Sequence, residues 1–301
     1  MVVDVKKGKL VGEIANTPGV HLAVFAPKLN RGFTSNGGDN SVSVFNLKTL
    51  KVLNRVSVGK RPDAILYDAF SNRVFTFNGG SQDATAIDAS TLKVLGSVPM
   101  GGKPEFPAAD GRGQIFVNIE DKSEVLSFDT RTLAVKNTWP IAPGEEPSGM
   151  AMDQQHRRLF AVCHNGMMVV MDADTGKVIA TPAIGKGPDA AAYDAGTGLA
   201  FSSNGQDGTL TVVKEVSPND FEVIATVPTQ TSARTMTLDA KYHRIYLVAA
   251  TMIPPPAEPA VETPPATTGT TTPPTGAPPA EHRWHMNMVK GSFVILVVGE
   301  E

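Results

Sequence analysis

A tetrapeptide that opens with an aromatic residue recurs six times along this 301-residue chain. Its leading aromatic residues are 42, 41, 44, 41 and 45 residues apart. The six copies are Phe33–Asn36, Phe75–Asn78, Phe116–Ile119, Phe160–Cys163, Phe201–Asn204 and Tyr246–Ala249. A repeat of this regularity indicates one structural unit per period, with each unit stacked on its neighbours.

Two further markers accompany most of the tetrapeptides and define the strands within each unit. A corner rich in Gly and Pro precedes the tetrapeptide, as in GKRPDA at 59–64, and an Asp-x-x-Thr hairpin follows it, as in IDASTLKVL at 87–95. The apolar runs between the markers are short and alternate with period two, as in SVSVF at 41–45. This periodicity favours β-strands over helices, so each unit is predicted to contain four short antiparallel strands.

Units of four strands with a period of about 40–45 residues are typical of a β-propeller. The predicted fold class is therefore all-β, with residues 1–301 as a single β-propeller domain. The opening segment VVDVKKGKL matches the second half of later units, and the strand count is two, then five sets of four, then three. We expect a seven-bladed ring that lacks its N-terminal strands. The alternative is a six-bladed ring in which Leu10–Ile14 closes the last blade.

Residues 253–291 interrupt the last unit with a composition unlike that of the rest of the chain. Pro, Thr, Ala and Gly dominate the segment, which offers few side chains able to join a core. We expect a disordered Pro- and Thr-rich insertion within the last blade, between its second and third strands.

Composition excludes several classes of protein and partner. Lys and Arg number 27 against 30 Asp and Glu, a formal net charge of −3, and basic runs are absent, so nucleic acid is not an expected partner. No run of about 18 apolar residues is present, so no transmembrane segment is expected, and no signal peptide is recognisable at the start. The single cysteine, Cys163, excludes an intramolecular disulfide framework.

The tetrapeptides resemble the Tyr-Val-Thr-Asn signature of the YVTN-repeat β-propeller family, and the Gly-x-x-Pro corners and Asp-x-x-Thr-x-Lys-Val hairpins resemble that family as well. The resemblance covers the chain apart from residues 253–291. It implies a seven-bladed, YncE-like propeller that is exported to the periplasm or cell surface and lacks known catalytic activity. The copies FVNI, FAVC and YLVA depart from the signature, because they lack its closing Asn.

The residue after each corner proline is expected to face the mouth of the central channel, where propellers bind their partners. The carboxylates of Asp63, Glu105 and Asp189 are candidate ligands for a hard cation such as Ca²⁺. They could equally hold a polar ligand whose anionic group pairs with Arg61 or Arg234. The competing interpretation is that each carboxylate caps its own corner. The full series is Gly19, Asp63, Glu105, Ser148, Asp189 and, in the sixth unit, Arg234.

Three further residues are candidates for the same mouth. Asn78 and Asn204 open the loops between the second and third strands, although Asn also suits such turns for its backbone conformation alone. His164 breaks the pattern of its unit and is a candidate ligand contact, including a haem ligand. Its neighbour Cys163 should point to the opposite face of the strand and is expected to be a small buried apolar residue.

Three functions are open on these observations. The leading hypothesis is a non-enzymatic propeller that binds a small molecule or a protein through loops on one face, with Ca²⁺ as the only candidate ion and no predicted cofactor. The second is a lactonase-like or metal-dependent hydrolase that uses the mouth carboxylates, and the third is a propeller that binds haem or a redox cofactor. Motifs for covalent haem attachment, a nucleophile elbow, a phosphate loop or a zinc protease are absent from the sequence, which favours the first hypothesis.

Overall fold

The computed structural model describes residues 1–253 and 288–299, which form 25 β-strands and two short 3-10 turns, Pro27–Leu29 and Glu120–Lys122. The predicted insertion at 253–291 lies almost entirely outside the described residues. Within the described part of the chain, no helix is long and apolar enough to cross a membrane.

The strands form antiparallel sheets in chain order, and each large sheet is one blade. Blade 1 contains β3 (Val20–Ala26), β4 (Arg31–Asn36), β5 (Ser41–Asn46) and β6 (Val52–Ser57). Blade 2 contains β7 (Pro62–Asp68), β8 (Arg73–Asn78), β9 (Asp83–Asp88) and β10 (Val94–Pro99). Blade 3 contains β11 (Pro104–Ala109), β12 (Gln114–Ile119), β13 (Glu124–Asp129) and β14 (Val135–Pro140).

The second half of the chain follows the same plan until the last blade. Blade 4 contains β15 (Pro147–Asp153), β16 (Arg158–Cys163), β17 (Met167–Asp172) and β18 (Val178–Ala180). Blade 5 contains β19 (Pro188–Asp194), β20 (Leu199–Asn204), β21 (Thr209–Ser217) and β22 (Asp220–Pro228). Blade 6 has three strands, β23 (Thr235–Asp239), β24 (Arg244–Ala249) and β25 (Val294–Val298). The first two strands, β1 (Val2–Asp4) and β2 (Lys9–Gly12), form a separate two-stranded ladder.

The all-β propeller predicted from the repeat is confirmed, as is the distribution of strands into two, five sets of four, and three. The described residues form six blades, which favours the six-bladed alternative over a seven-bladed ring. The predicted closure of that alternative is nevertheless wrong in one detail. Lys9–Gly12 pairs with Val2–Asp4, not with β25, because the turn at Asp4 holds the two N-terminal strands together.

A side-chain cap fixes the turn between the third and fourth strands in blades 1 to 4. In blade 2, Asp88 Oδ1 accepts hydrogen bonds from the backbone N–H groups of Ser90 (2.9 Å) and Thr91 (2.7 Å). Leu92 then adopts left-handed backbone with φ 64°, which is unfavourable for a residue with a branched side chain. Its side chain packs against the apolar cluster that blades 1 and 2 share.

The core lies between the blades, where the aromatic residues of the tetrapeptides are buried. Phe33, Phe75, Phe116 and Phe160 have no exposed surface. The first strand of each blade packs against the first strand of the next, from β3 through β7, β11, β15 and β19 to β23, so these six strands are the inner strands around the channel. Their starts form one end of the channel, the mouth.

Candidate functional site

Six residues take the same position at the start of the six inner strands, and we refer to them as the mouth ring. In each of the first five blades, the residue before the ring position pairs with the last residue of the tetrapeptide, as Pro62 pairs with Asn78 and Val20 with Asn36. In blade 6 the ring residue stands directly before β23. The mouth ring is His21, Asp63, Glu105, Ser148, Asp189 and Arg234.

Hydrogen bonds between blades hold the backbone of the ring in place. In blades 1, 3 and 5, the third residue of the tetrapeptide reaches across to the carbonyl of the ring residue in the next blade. Ser35 Oγ donates to the carbonyl of Asp63, and Ser203 Oγ donates to the carbonyl of Arg234. Asn118 Nδ2 donates to the carbonyl of Ser148 at 2.9 Å. The repeated tetrapeptide therefore positions the mouth ring as well as filling the core.

His21, and not Gly19, is the ring residue of blade 1, which corrects the series predicted from the prolines. In blade 1 the proline lies two residues earlier relative to the strand, so the position after it is still part of the corner. The carbonyl of Gly19 accepts the N–H of Gly37 at 2.9 Å, a contact within that corner. Counting back from the tetrapeptide would have found the residue, because Asp63 lies 15 residues before Asn78 and His21 lies 15 before Asn36.

His21 and Asp63 form an ion pair between blades 1 and 2. Nδ1 of the imidazole lies 3.1 Å from Oδ1 of the carboxylate, and both side chains are about half exposed. The hydrogen bond to Asp63 raises the pKa of His21. Burial alone would raise the pKa of Asp63, but the hydrogen bond and charge of His21 outweigh it and lower that pKa.

Glu105 shares one ammonium group with a second carboxylate. Lys103 Nζ lies 2.8 Å from Glu105 Oε1 and also contacts Glu120, and only 12% of the Glu105 side chain is exposed. Burial, together with the charge of Glu120, raises the pKa of Glu105 to about 7 despite Lys103. Burial would lower the pKa of Lys103, but the two carboxylates raise it. No local pattern in the sequence marks Lys103 or Glu120, because their roles depend on the fold of blade 3.

Asp189 lies between Ser148 and Arg234. The hydroxyl of Ser148, which is buried, donates to the carbonyl of Asp189 at 3.1 Å, and Arg234 Nε lies 3.7 Å from Asp189 Oδ2. Burial raises the pKa of Asp189, the charge of Arg234 opposes this, and the charge of Asp63 adds to it. Asp63 is in blade 2 and Asp189 in blade 5, and both lie at the start of inner strands, which pack side by side around one channel.

His164 lies close to this group. Its Nδ1 is 3.5 Å from Glu146 Oε2, and its positive charge acts to lower the pKa of Asp189. The backbone N–H of His164 donates to the carbonyl of Glu145 at 3.1 Å, in the corner before β15, so His164 lies at the mouth. Its role as a haem ligand stays a prediction. Cys163 is fully buried, as expected, and burial raises the pKa of its thiol to about 12.

The remaining predicted residues differ in how accessible they are. Asn78 and Asn204 are fully buried within their blades. Asn78 Nδ2 donates to Asp83 Oδ1 at 2.9 Å and Thr85 Oγ1 at 3.0 Å, and Asn204 bonds two threonines of β21 in the same way. These amides support the loops at the mouth from inside the blade. Arg61 is exposed, with left-handed backbone (φ 51°) at the corner before β7.

The three carboxylates predicted to bind Ca²⁺ are separated from one another by basic partners. Asp63 pairs with His21, Glu105 with Lys103, and Asp189 with Arg234. Within the described residues these three carboxylates do not form a group whose oxygens lie within 4.8 Å of one another. Ca²⁺ binding at the mouth stays a prediction, and it would require these ion pairs to open.

One group in the described residues does bring potential metal ligands together, at the face opposite the mouth. It consists of Asp153, His156 and Glu215, and the sequence analysis did not identify it. His156 Nδ1 lies 2.6 Å from Asp153 Oδ2 and 3.1 Å from Glu215 Oε1, so the imidazole joins blade 4 to blade 5. The hydroxyl of Tyr193 donates to Glu215 Oε2 at 2.6 Å. These contacts account for the group as a link between blades.

Comparison with known proteins supports the fold and leaves the family open. No protein-family model matches the chain, and no curated protein matches its sequence. The resemblance to the YVTN-repeat family therefore stays a prediction.

Solved structures with a similar fold include both an enzyme and a multiprotein assembly. Hydrazine synthase of Kuenenia stuttgartiensis matches with a TM-score of 0.65 and 16% identity, over 80% of this chain and 77% of that chain. The β-propeller domain of Cps50 (Swd1) from Myceliophteria thermophila matches with a TM-score of 0.65 and 12% identity, over 77% of this chain and 80% of that one. A chain of a mitotic checkpoint complex matches with a TM-score of 0.71 and 12% identity, over 81% of this chain and 76% of that one. At these identities the likeness concerns the fold alone.

Proposed function

We propose that this protein is a non-enzymatic β-propeller scaffold that binds a polar ligand or a protein partner at the mouth ring. The observation that carries the proposal is the convergence of charged side chains from five of the six ring positions on one channel. Charges in blades 2 and 5 act on each other there, as the pKa of Asp189 responds to Asp63. Such perturbed groups gathered in one opening are a recognised mark of a binding site.

The pairing within the ring suggests the chemistry of the ligand. Acidic and basic groups sit side by side, in the pairs His21–Asp63 and Asp189–Arg234. A ligand or protein loop that carries both a cationic and an anionic group could exchange its own ion pairs for these. A purely apolar ligand would leave the charges unpaired, which is unfavourable.

The YVTN-repeat identity, with a periplasmic or extracellular location, forms part of this proposal. It is supported by the equal register of the tetrapeptides in successive blades. Sequencing and localising the natural protein by fractionation would test it, since a cytoplasmic protein contradicts export.

A thermal-unfolding screen tests binding at the ring directly. A ligand that binds only the folded state raises the transition temperature by mass action. The probes are Ca²⁺, Zn²⁺, haem and a sugar lactone, each tested on the wild type, on an Asp63→Asn/Asp189→Asn variant and on the control Asp220→Asn at the opposite face. The proposal expects any shift to disappear in the ring variant alone. A shift that survives in the ring variant places the site elsewhere.

One observation favours a hydrolase as the second candidate. A carboxyl group with a pKa of about 7 beside a lysine, as at Glu105, is suited to general acid–base catalysis near neutral pH. A lactonase-like activity would then appear as proton release from a sugar lactone in a pH-stat assay and would be lost in Glu105→Gln. If proton release does not exceed the uncatalysed rate, the hydrolase is contradicted and the binding function remains.

A further inference from the structure

The group of Asp153, His156 and Glu215 brings two carboxylates and one imidazole to a single point between blades 4 and 5. His156 Nδ1 lies 2.6 Å from Asp153 Oδ2 and 3.1 Å from Glu215 Oε1, and the three atoms lie within 4.8 Å of one another. The carboxylate side chains are 2% and 3% exposed, whereas the imidazole is 38% exposed. The carboxylates are therefore held within the fold, and the histidine lies at the surface.

A proton on His156 Nδ1 does not satisfy both carboxylates equally. One N–H group directs its hydrogen at one acceptor, because a hydrogen bond weakens steeply as its angle departs from linear. A cation with several ligands satisfies two carboxylates and an imidazole at once. Each of the other histidines that the structure describes pairs with one carboxylate, in the pairs His21–Asp63, His164–Glu146 and His243–Asp194.

The second oxygen of each carboxylate is held by a donor of its own. Asp153 Oδ1 accepts the backbone N–H of Gln155 at 2.9 Å, and Glu215 Oε2 accepts the hydroxyl of Tyr193 at 2.6 Å. Asp153 Oδ2 accepts the backbone N–H of His156 at 3.0 Å, which leaves that oxygen one lone pair. Hydrogen bonds of this kind orient the carboxylates that bind metals in proteins. The two free positions, on Asp153 Oδ2 and Glu215 Oε1, converge on the imidazole.

Glu215 occupies a position that is uncharged in the preceding blades. Its backbone N–H donates to the carbonyl of Gly198 at 2.9 Å. The equivalent residues of blades 1 to 4 make the same hydrogen bond and are Leu47, Ala89, Thr130 and Ala173. Strand β21 has nine residues, and the third strands of blades 1 to 4 have six each. Blade 5 therefore has a longer hairpin, and the repeat does not require a carboxylate at this position.

His156 is a second departure from the repeat, and it lies against the first. Asp153 ends the inner strand of blade 4, and aspartates also end those of blades 2, 5 and 6, at Asp68, Asp194 and Asp239. Three residues later these blades have Ser71, Thr197 and Tyr242, none of which carries an imidazole, a carboxylate or a thiol. An aspartate alone is thus a turn cap. The histidine and the glutamate distinguish the junction of blades 4 and 5.

We propose that Asp153 Oδ2, His156 Nδ1 and Glu215 Oε1 bind a divalent metal ion of the Zn²⁺ type between blades 4 and 5. Zn²⁺ binds His nitrogen and Asp or Glu oxygen at about 2.0–2.2 Å, which places tetrahedral ligand atoms about 3.3 Å apart. The half-exposed imidazole has to move by less than about 1 Å to give Zn²⁺ this spacing. Three protein ligands leave a fourth position for water. Mg²⁺ and Ca²⁺ suit the group less, because they favour oxygen ligands alone.

Calorimetric titration with Zn²⁺ tests the site. His282 and His285 lie outside the described residues, so the titration compares the wild type with His282→Gln/His285→Gln. We expect one Zn²⁺ per chain to remain bound in that background. Co²⁺ in place of Zn²⁺ should give the visible absorption bands of an ion with nitrogen and oxygen ligands. A Zn²⁺ concentration roughly 100-fold above Kd should raise the thermal midpoint by about 4 °C.

Substitutions in the same background assign the ion to these ligands. His156→Gln and Glu215→Gln should each abolish the Co²⁺ bands and the stoichiometric binding of Zn²⁺. Tyr193→Phe removes only the hydroxyl that holds Glu215 and should weaken binding by about 10-fold. His243→Gln is the matched control and should leave binding unchanged, because His243 pairs with a single buried carboxylate at the same 2.6 Å.

Two results would overturn the proposal. One is the absence of stoichiometric Zn²⁺ binding in the His282→Gln/His285→Gln background, and the other is binding that persists in Glu215→Gln and His156→Gln. Circular dichroism checks that each variant is folded. If His156→Gln does not fold, Glu215→Gln and Tyr193→Phe decide by the same measurements.

The site is independent of the mouth ring, and the two proposals can fail separately. Zn²⁺ binding between blades 4 and 5 should persist in Asp63→Asn/Asp189→Asn. In the thermal-unfolding screen, a Zn²⁺ shift that this variant keeps and His156→Gln loses therefore belongs to the group of Asp153, His156 and Glu215. The shifts given by Ca²⁺, haem and the sugar lactone test the ring.

Discussion

The two faces of the propeller use carboxylates in opposite ways. At the face opposite the mouth, aspartates such as Asp88 and Asp129 accept backbone N–H groups of their own turn, and these hydrogen bonds lower their pKa values. At the mouth, burial raises the pKa values of Glu105 and Asp189, whose partners are side chains from elsewhere in the fold. The turn aspartates therefore stabilise the fold, whereas ionising these two mouth carboxylates costs stability. Groups kept at such a cost are typical of functional sites.

The largest expected effect on the free energy of unfolding is at Asp153, which lies at the face opposite the mouth. Its carboxylate is almost fully buried and accepts the N–H groups of Gln155 (2.9 Å) and His156 (3.0 Å). Asp153→Ala leaves these two N–H donors without their acceptor and leaves His156 Nδ1 with Glu215 alone, so we expect a loss of about 3 kcal/mol in the free energy of unfolding. Urea titration measures it, with the exposed Asp220→Ala as control. A loss below about 1 kcal/mol would contradict the claim that the carboxylates at this face stabilise the fold.

The next largest effect is expected at Glu105, where ionisation of the carboxyl group lowers the free energy of unfolding. Folding raises its pKa from 4.5 to about 7, so between these pH values the folded state holds a proton that the unfolded state releases. Stability should therefore fall as pH rises through this window, by roughly 3 kcal/mol in total. Glu105→Gln should remove this part of the pH dependence. Urea titrations from pH 4 to 8 measure it, and identical slopes for variant and wild type would contradict the assignment.

The smallest effect is expected at the His21–Asp63 pair, because both side chains are about half exposed. The raised pKa of His21 means that its contribution is complete below pH 6.5 and is lost as pH rises through the folded value. The lowered pKa of Asp63 means that its contribution is lost in acid. His21→Gln should therefore cost more at pH 5.5 than at pH 8.5, by less than about 1 kcal/mol. An equal cost at both pH values would show that the pair is not ionic.

The fold was predictable from the sequence because its determinants are local. The tetrapeptide spacing and the period-two runs predicted the strands, and an aspartate three residues before a threonine predicted turns such as that at Asp88. The position of the mouth was predictable, because Asp63, Glu105 and Asp189 each follow a proline that pairs with the last residue of a tetrapeptide. Their partners were not all predictable, because contacts such as that of Lys103 with Glu120 depend on distances set by the folded blade. The error at Gly19 arose from aligning prolines, which mark corners, when the register is set by the strand pairs.

The buried asparagines show a second limit of the sequence. Asn78 and Asn204 were candidates for ligand contacts because they open loops at the mouth, and the structure places their amides inside the blade. A residue type that suits both a turn and a ligand contact cannot be assigned until its exposure is known. Exposure follows from the packing of the whole ring, and no local pattern contains that information.

The free energy of unfolding of a Glu105→Gln/Asp189→Asn variant at pH 8 tests the central claim most directly. If the mouth carboxylates are kept for binding and not for folding, the variant should be more stable than the wild type, by about 1–3 kcal/mol, because it no longer ionises two buried carboxyl groups. Its folded structure should be unchanged by circular dichroism. A variant that is destabilised, as Asp153→Ala is expected to be, would show that the mouth carboxylates support the fold, and would contradict the assignment of the mouth ring as a binding site.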